Sequence, residues 1–283
     1  MCKKKRMKTN YDVLFPDKRL SVKGDLKQSQ QVMLRMLKIL DHLCRKYEIK
    51  YWVVCGTLIG TLRHKGFIPW DGDIDIAMLP EDMHKFDKVA SKELPSDIFW
   101  QTSKTDASYN DKQMNKLRDR YSCYYQWEKA NPNYKHHSGL QVDVFKFTRG
   151  KGDQIRHPYG PKYPLHYTTS EIFPLKEAVF EDMQVFIPNQ AVKYVNKIYG
   201  DYSQLPPKNQ RRAHEGKASV VIPCKHPASL QWPSIQATKK SQIRQHRPLE
   251  KEDCNGLGQT WLLLIILTVM IITVIVLSLA LSC

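Results

Sequence analysis

The sequence contains no Cys-x-x-Cys pair, no Asn-x-Ser/Thr sequon and no amino-terminal apolar run of the kind that forms a signal peptide. Its seven cysteines are scattered, so they favour reduced thiols over a zinc knuckle or a disulfide framework. The missing sequon and signal peptide agree with a cytosolic globular part. With 283 residues, 42% of them hydrophobic, the chain can bury a core, which excludes a disordered, collagenous or small disulfide-bonded protein.

The net positive charge of +16 lies mainly in the flanks of the chain. Residues 1 to 50 contain 14 basic and 5 acidic side chains, residues 51 to 200 contain 20 and 18, and residues 201 to 260 contain 10 and 5. A protein that binds a nucleic-acid backbone along a cleft concentrates Lys and Arg at that cleft. The nearly neutral middle therefore argues against nucleic acid as a partner.

A run of 21 residues without a charged side chain extends from Trp261 to Leu281. As a helix it would reach about 31 Å, enough to cross the hydrocarbon core of a bilayer. Five basic residues precede the run and none follows it, and the positive-inside rule then places the large domain in the cytosol. The pattern predicts a single carboxy-terminal transmembrane anchor in an endomembrane such as the endoplasmic reticulum or Golgi.

The order of the segments predicts an α/β domain over residues 25–202. Residues 25–47 have the apolar spacing of an amphipathic helix, and a short strand at 51–54 leads through a glycine turn into a helix at 58–63. Alternating residues predict strands at 74–78 and 140–147, whereas 80–95 and 108–120 are polar and predicted helical. A hairpin at about 179–187 and a helix with inward-facing Val192, Val195 and Ile198/Tyr199 complete the domain. Residues 1–24 are predicted to form a basic arm, 203–260 a flexible linker and 261–281 the membrane helix.

Acidic residues are embedded in two of the predicted strands. Asp71, Asp73 and Asp75 lie within five residues, and the strand period of two places the last two on one face, about 7 Å apart. Asp143 can join them if its strand is a neighbour. Carboxylates in this pattern are suitable ligands for magnesium, although an acidic loop without metal has the same composition. A glycine turn that opens a helix, such as Gly56-Thr57, supplies backbone N–H groups for phosphate.

These residues carry a resemblance to a known family. The segment from Tyr51 to Met78, YWVVCGTLIGTLRHKGFIPWDGDIDIAM, closely resembles the signature of the LicD family. This family includes bacterial phosphocholine transferases, fukutin and fukutin-related protein, and it has the nucleotidyltransferase fold, a mixed sheet flanked by helices. The match continues through 139–145, 172–180 and 198–202, and it covers about residues 25 to 215.

The resemblance implies transfer of a substituted phosphate, either phosphocholine or a polyol phosphate such as ribitol phosphate, from a CDP-activated donor to a glycan or glycolipid hydroxyl. CMP would be released. Gly56 and Thr57 would bind the donor phosphates. Asp73, Asp75 and Asp143 would coordinate Mg²⁺ or Mn²⁺, with Asp143 either a ligand or the base that accepts the hydroxyl proton. The cations Arg63, Lys116 and Arg118 would bind the donor's negative charge; solvated surface cations are the alternative.

Three departures from the family pattern bear on this interpretation: Thr57 replaces serine, Gly72 replaces an acidic residue, and the anchor is carboxy-terminal rather than amino-terminal as in the animal Golgi members. Three other functions stay open. The chain could transfer a nucleotide to a small molecule or RNA. It could be an inactive paralogue that binds glycans or acts as a scaffold, although the intact carboxylates argue against this. It could also be an adaptor that acts through residues 203–260.

Overall fold

A computed structural model describes residues 9–160, 166–213 and 216–226. Its centre is a five-stranded sheet of β1 (Trp52–Val53), β2 (Asp75–Met78), β3 (Ile98–Gln101), β4 (Met114–Asp119) and β5 (Gln141–Lys146), in the order β1-β2-β5-β4-β3. β2 and β5 are parallel, and the other neighbours are antiparallel. The predicted mixed sheet of an α/β fold is confirmed.

Helices flank this sheet. They are α1 (Tyr11–Leu14), α2 (Asp25–Lys46), α3 (Cys55–His64), α4 (Pro80–Glu93), α5 (Tyr125–Ala130), α6 (Thr169–Ile172) and α7 (Ala191–Tyr199), and a 3₁₀ turn follows at Lys208–Gln210. The helix predicted at 25–47 is confirmed as α2, whose apolar side chains, among them Met33, Leu37 and Leu40, are fully buried. Burial of this apolar stripe fixes α2 against the core.

Two small sheets complete the described part of the chain. One contains β6 (Thr148–Arg149), β7 (Gln154–Arg156) and β8 (His166–Thr168); the other is the hairpin of β9 (Lys176–Phe180) and β10 (Met183–Ile187). The predicted hairpin is confirmed. In α7 the inward-facing side chains are Ala191, Tyr194 and Val195, so the prediction was wrong for Val192 and Tyr199, which are about half exposed. Ala191, Tyr194 and Val195 are spaced by three and four residues and form one helical face, and Val192 and Tyr199 lie away from it.

The prediction of a helix at 108–120 was wrong. Residues 114–119 form β4, between β3 and β5 in the central sheet. Lys116 and Arg118 lie on one face of this strand, and that face contacts polar partners. The sequence therefore lacks the apolar residues at every second position by which a buried strand is usually recognised. A buried strand beside a charged site therefore has the composition of an exposed helix.

Parts of both flanking segments lie against the domain. Tyr11, within the predicted arm, is buried, and Arg19 forms an ion pair of 2.7 Å with Asp119 at the end of β4. In the predicted linker, Ser219 forms a β-bridge with Cys123, and Val220 accepts a hydrogen bond from Arg19.

The predicted transmembrane run, Trp261 to Leu281, lies outside the described residues. Among the residues that are described, no helix combines the length and apolar character needed to cross a membrane. The anchor therefore stays a prediction.

Candidate active site

Three carboxylates converge at one edge of the β2–β5 pair. Oxygen atoms of Asp73, Asp75 and Asp143 all lie within 4.8 Å of one another. The parallel register of the two strands explains this, because it sets Asp75 directly beside Asp143. The backbone N–H of Asp143 donates to the carbonyl of Ile74 over 2.7 Å, which fixes the two strands at this point. The sequence predicted this convergence on the condition that the strands are neighbours, and they are.

Lys116 joins the carboxylates from β4. It is the register partner of Asp143, and its ammonium nitrogen is 2.6 Å from Asp143 Oδ1. Gln141 holds both groups, since its Oε1 accepts from Lys116 over 3.1 Å and its Nε2 donates to Asp143 Oδ2 over 3.2 Å. Gln141 is not among the site residues predicted from the sequence, although the period of two in β5 puts it on the same face as Asp143.

The amino terminus of α3 lies beside this group. The hydroxyl of Thr57, in the first turn, accepts a hydrogen bond of 2.8 Å from the backbone N–H of Asp75. At Gly56 an added Cβ would come within 2.5 Å of Asp71 Oδ2, so a larger residue there would have to displace that carboxylate. Cys55, the residue before Gly56, has a φ of 49°, and this left-handed conformation sets the direction of the first turn of the helix. The exposed N–H groups of a helix start are suited to bind phosphate, as predicted for Gly56 and Thr57.

The two predicted donor-binding arginines make contacts within the protein. Arg63, at the end of α3, donates to the carbonyls of Tyr202 and Gln204 over 2.6 and 3.1 Å. Arg118 is buried and donates to Gln101 Oε1 over 2.9 Å and to the carbonyl of Gly139 over 2.7 Å. These contacts hold neighbouring segments in place, and the role of both residues toward a donor stays a prediction.

The charge balance of the site favours a cation. Burial, together with the neighbouring charges of Asp73 and Asp143, raises the pKa of Asp75 well above its ordinary value. Burial also lowers the pKa of Lys116. One ammonium against three carboxylates leaves excess negative charge in a poorly solvated space, and hard oxygen ligands are those that Mg²⁺ and Mn²⁺ prefer. The residues present therefore fit a divalent cation.

A cavity of about 1370 Å³ lies elsewhere, between α4, β4 and the β6–β8 sheet. Asn115, Lys146 and His157 are among its lining residues, and none of the predicted site residues is. Asn115 and Lys116 are consecutive in β4 and so point to opposite faces. The cavity is thus on the face of the sheet opposite Lys116.

A mixed sheet that presents three carboxylates beside the start of a glycine-containing helix is an arrangement typical of phosphoryl-transfer domains. The sequence agrees: residues 48–190, half of the chain, match the family described as LicD/FKTN/FKRP, nucleotidyltransferase domain. The chain belongs to this family, which confirms the resemblance seen in the sequence.

Individual relatives support the same assignment. The chain is 26% identical over 264 residues to the lipopolysaccharide cholinephosphotransferase LicD of Haemophilus influenzae, covering 70% of this chain and 98% of the relative. It is 23% identical over 163 residues to the ribitol 5-phosphate transferase FKRP of Mus musculus, covering 54% of this chain and 28% of the relative. A crystal structure of the lincosamide antibiotic adenylyltransferase LnuA matches with a TM-score of 0.34 and 15% identity, over 60% of this chain and 87% of that one, too distant to support an argument.

Proposed function

We propose that this chain is a membrane-anchored transferase that moves phosphocholine or a polyol phosphate from a CDP-activated donor to the hydroxyl of a glycan or glycolipid. The observation that carries the proposal is the convergence of Asp73, Asp75 and Asp143 beside the amino terminus of α3. The names of two relatives, a cholinephosphotransferase and a ribitol 5-phosphate transferase, support the type of group transferred.

Asp73, Asp75 and Asp143 would hold Mg²⁺ or Mn²⁺ as the cofactor. When bound, the cation would neutralise the charge of the donor diphosphate. The N–H groups at the start of α3 would bind phosphate oxygens, and the hydrogen bond from Asp75 to Thr57 would keep that helix end aligned with the carboxylates. Lys116, held by Gln141, fixes the carboxylate of Asp143 and brings a positive charge to the reacting phosphates.

In the proposed reaction an oxygen of the acceptor hydroxyl attacks the phosphorus that bears the choline or polyol. A new P–O bond forms, and the bond from this phosphorus to the bridging oxygen of the donor breaks. The products are a phosphodiester on the glycan, CMP and one proton from the hydroxyl. The chain's residues contribute position and charge rather than a covalent intermediate, as is general for phosphoryl transfer.

The proposed enzyme is anchored in a membrane. The apolar run from Trp261 to Leu281 would anchor the chain in an endomembrane such as the endoplasmic reticulum or Golgi, and the basic residues that precede it favour a cytosolic catalytic domain. Protease protection of an epitope-tagged chain in sealed microsomes tests this orientation. Digestion of the tagged domain without detergent is expected, and protection of the domain would contradict the cytosolic placement.

The test of function uses the full chain in detergent micelles with Mg²⁺, a mixed glycan acceptor pool and either CDP-choline or CDP-ribitol. The expected result is CMP release that requires acceptor and is lost in Asp73→Asn, with one donor clearly preferred. Asp153→Asn, at an exposed carboxylate outside the site, is the matched control and should keep full release. Absence of release from both donors, while the wild-type chain binds Mg²⁺, would contradict transfer from these two donors and point to a different activated donor. Loss of Mg²⁺ binding as well would favour the glycan-binding paralogue.

A further inference from the structure

A second group of metal-ligating side chains lies apart from the carboxylates. Glu128 of α5 and Cys224 and His226 of the 216–226 segment bring one ligand atom each to within 4.8 Å of the others. The separations are 3.0 Å from Cys224 Sγ to His226 Nδ1, 3.2 Å from that nitrogen to Glu128 Oε1, and 3.6 Å from this oxygen to the sulfur. Ligand atoms around a tetrahedral zinc ion lie roughly 3.3 to 3.8 Å apart, given bonds of about 2.0 to 2.3 Å. The three atoms are therefore spaced nearly as zinc requires.

The tautomer of His226 fits a metal ligand. Its Nε2 is 2.9 Å from the carbonyl oxygen of Tyr134, which only accepts, so Nε2 carries the hydrogen. The lone pair is then on Nδ1, the nitrogen that faces Cys224 and Glu128. A backbone carbonyl on the far nitrogen is the usual support of a zinc-ligating histidine. In a nucleophilic cysteine relay the thiol and the carboxylate contact opposite ring nitrogens. Here both face Nδ1, which favours metal ligation over a catalytic thiol.

A second thiol lies next to the group. Cys123 is buried, and its sulfur is 3.6 Å from Ser138 Oγ, which is itself 3.5 Å from Cys224 Sγ and donates to Glu128. The β-bridge between Cys123 and Ser219 holds the 216–226 segment beside this thiol. A structural zinc ion takes four protein ligands. Cys123 Sγ lies outside the 4.8 Å group, with Ser138 Oγ between it and Cys224, so Cys123 would supply the fourth ligand after a rotation of its side chain.

We propose that Glu128, Cys224 and His226, with Cys123 as the fourth ligand, bind a structural zinc ion. Two thiolates, one imidazole and one carboxylate suit zinc, whereas Mg²⁺ requires oxygen ligands, so the two sites of the chain select different metals. The cysteines lie 101 positions apart, which is why their spacing in the sequence shows no zinc motif. The ion fastens the 216–226 segment to α5.

Helix α5 connects the proposed zinc site to the carboxylate site. Tyr124, the residue that precedes the helix, donates its hydroxyl hydrogen to the carbonyl of Gly72 over 3.0 Å. Gly72 lies between Asp71 and Asp73 in the loop that carries Asp73 and leads into β2. Zinc would thus position that loop without contacting any substrate, and the zinc ligands are positioning residues rather than catalytic ones. The zinc proposal does not depend on the proposed transferase function.

The test measures zinc in the purified full chain after dialysis against metal-free buffer, by inductively coupled plasma mass spectrometry. The wild-type chain is expected to retain about one zinc per chain. Cys224→Ser and His226→Ala should each lower the retained zinc at least tenfold. Cys44→Ala removes a buried cysteine outside the group and is the matched control, expected to retain zinc. Asp73→Asn, in the carboxylate site, should retain it as well.

Substitution of zinc by Co²⁺ gives a second readout, which in the wild-type chain does not depend on how any variant folds. Thiolate-to-cobalt charge-transfer absorption is expected, and Cys123→Ser should weaken it by about half, because one of the two proposed thiolates is lost. A wild-type chain that retains no zinc and gives no such absorption would overturn the proposal. Zinc retained in both Cys224→Ser and His226→Ala would overturn it equally, because the ion would then lie elsewhere.

Discussion

The hydroxyl of Thr57 accepts a hydrogen bond of 2.8 Å from the backbone N–H of Asp75. One bond therefore joins the first turn of α3, which is suited to bind phosphate, to the strand that carries a central carboxylate. Both residues are buried, so no water replaces this bond if it is lost. The part of the site proposed to bind phosphate and the part proposed to bind metal are thereby held in one geometry.

Replacement of Thr57 by valine should destabilise the chain and disturb the site together. Valine keeps the shape of threonine but leaves the Asp75 N–H buried without its acceptor, at a cost of about 1 to 3 kcal/mol. Urea unfolding of the full chain measures this loss. Thr57→Ser keeps the hydroxyl and is the control, expected to lose much less. Equal stability of the two variants would contradict the structural role of the bond.

Gly56→Ala should lower CMP release while leaving the fold largely intact. The added methyl would meet Asp71 Oδ2 at 2.5 Å and displace that carboxylate from the start of α3. Gly160→Ala is the control, because its Cβ would meet only the His157 carbonyl at 3.4 Å. Full activity in Gly56→Ala would show that the close approach of Asp71 has no part in the reaction.

Lys116→Met should change metal affinity and turnover in opposite directions. Without the ammonium 2.6 Å from Asp143, the three carboxylates attract a cation more strongly, and Mn²⁺ should bind roughly tenfold tighter. Turnover should fall roughly tenfold or more, since Asp143 is no longer held and the phosphates lose a positive charge. Calorimetry and steady-state kinetics separate the two effects. Lys88→Met, at an exposed lysine of α4, should change neither; weaker Mn²⁺ binding in Lys116→Met would contradict the account.

His157 should make the chain less stable in acid. It is buried against Phe147, and burial lowers its pKa from 6.5 to about 4. Between these values the unfolded chain binds a proton that the folded chain does not, so this contribution is present above pH 6.5 and is lost as the pH falls toward 4. His157→Gln removes the titratable imidazole, so the free energy of unfolding should fall less steeply as the pH is lowered.

Urea unfolding at a series of pH values from about 7.5 to 4 measures this slope. The exposed His84 provides the control, and His84→Gln should keep the wild-type slope. Some acid sensitivity should persist in His157→Gln, because burial also lowers the pKa of His136 to about 3. An unchanged slope in His157→Gln would contradict the burial argument.

Much of the fold could be predicted because apolar periodicity reports burial. The stripe of α2 and the alternation around Asp75 and Asp143 each show one face that must avoid water, and the structure confirms these elements. The pattern fails in β4, where the strand's buried face is polar. Lys116 there pairs with the carboxylate of Asp143, and Arg118 donates hydrogen bonds to Gln101 and to the carbonyl of Gly139. Only the folded chain brings these partners near.

The candidate site could be predicted in part for the same reason. The convergence of the aspartates follows from local alternation plus one assumption, that β2 and β5 are neighbours. The partners of Arg63 are carbonyls 139 and 141 residues away, and they have no local signal in the sequence. The Glu128, Cys224 and His226 group has none either, because its members come from segments about 100 residues apart. Contacts between residues so far apart in the sequence depend on the topology of the fold, and no short stretch of sequence contains a pattern that predicts them.

The central claim is that the three aspartates form one divalent-cation site, and calorimetric titration of the purified full chain with Mn²⁺ tests it most directly. The account predicts one site per chain in the wild type, with affinity lowered at least roughly tenfold in each of Asp73→Asn, Asp75→Asn and Asp143→Asn, and unchanged in Asp153→Asn. Wild-type Mn²⁺ affinity in all three site variants would contradict it.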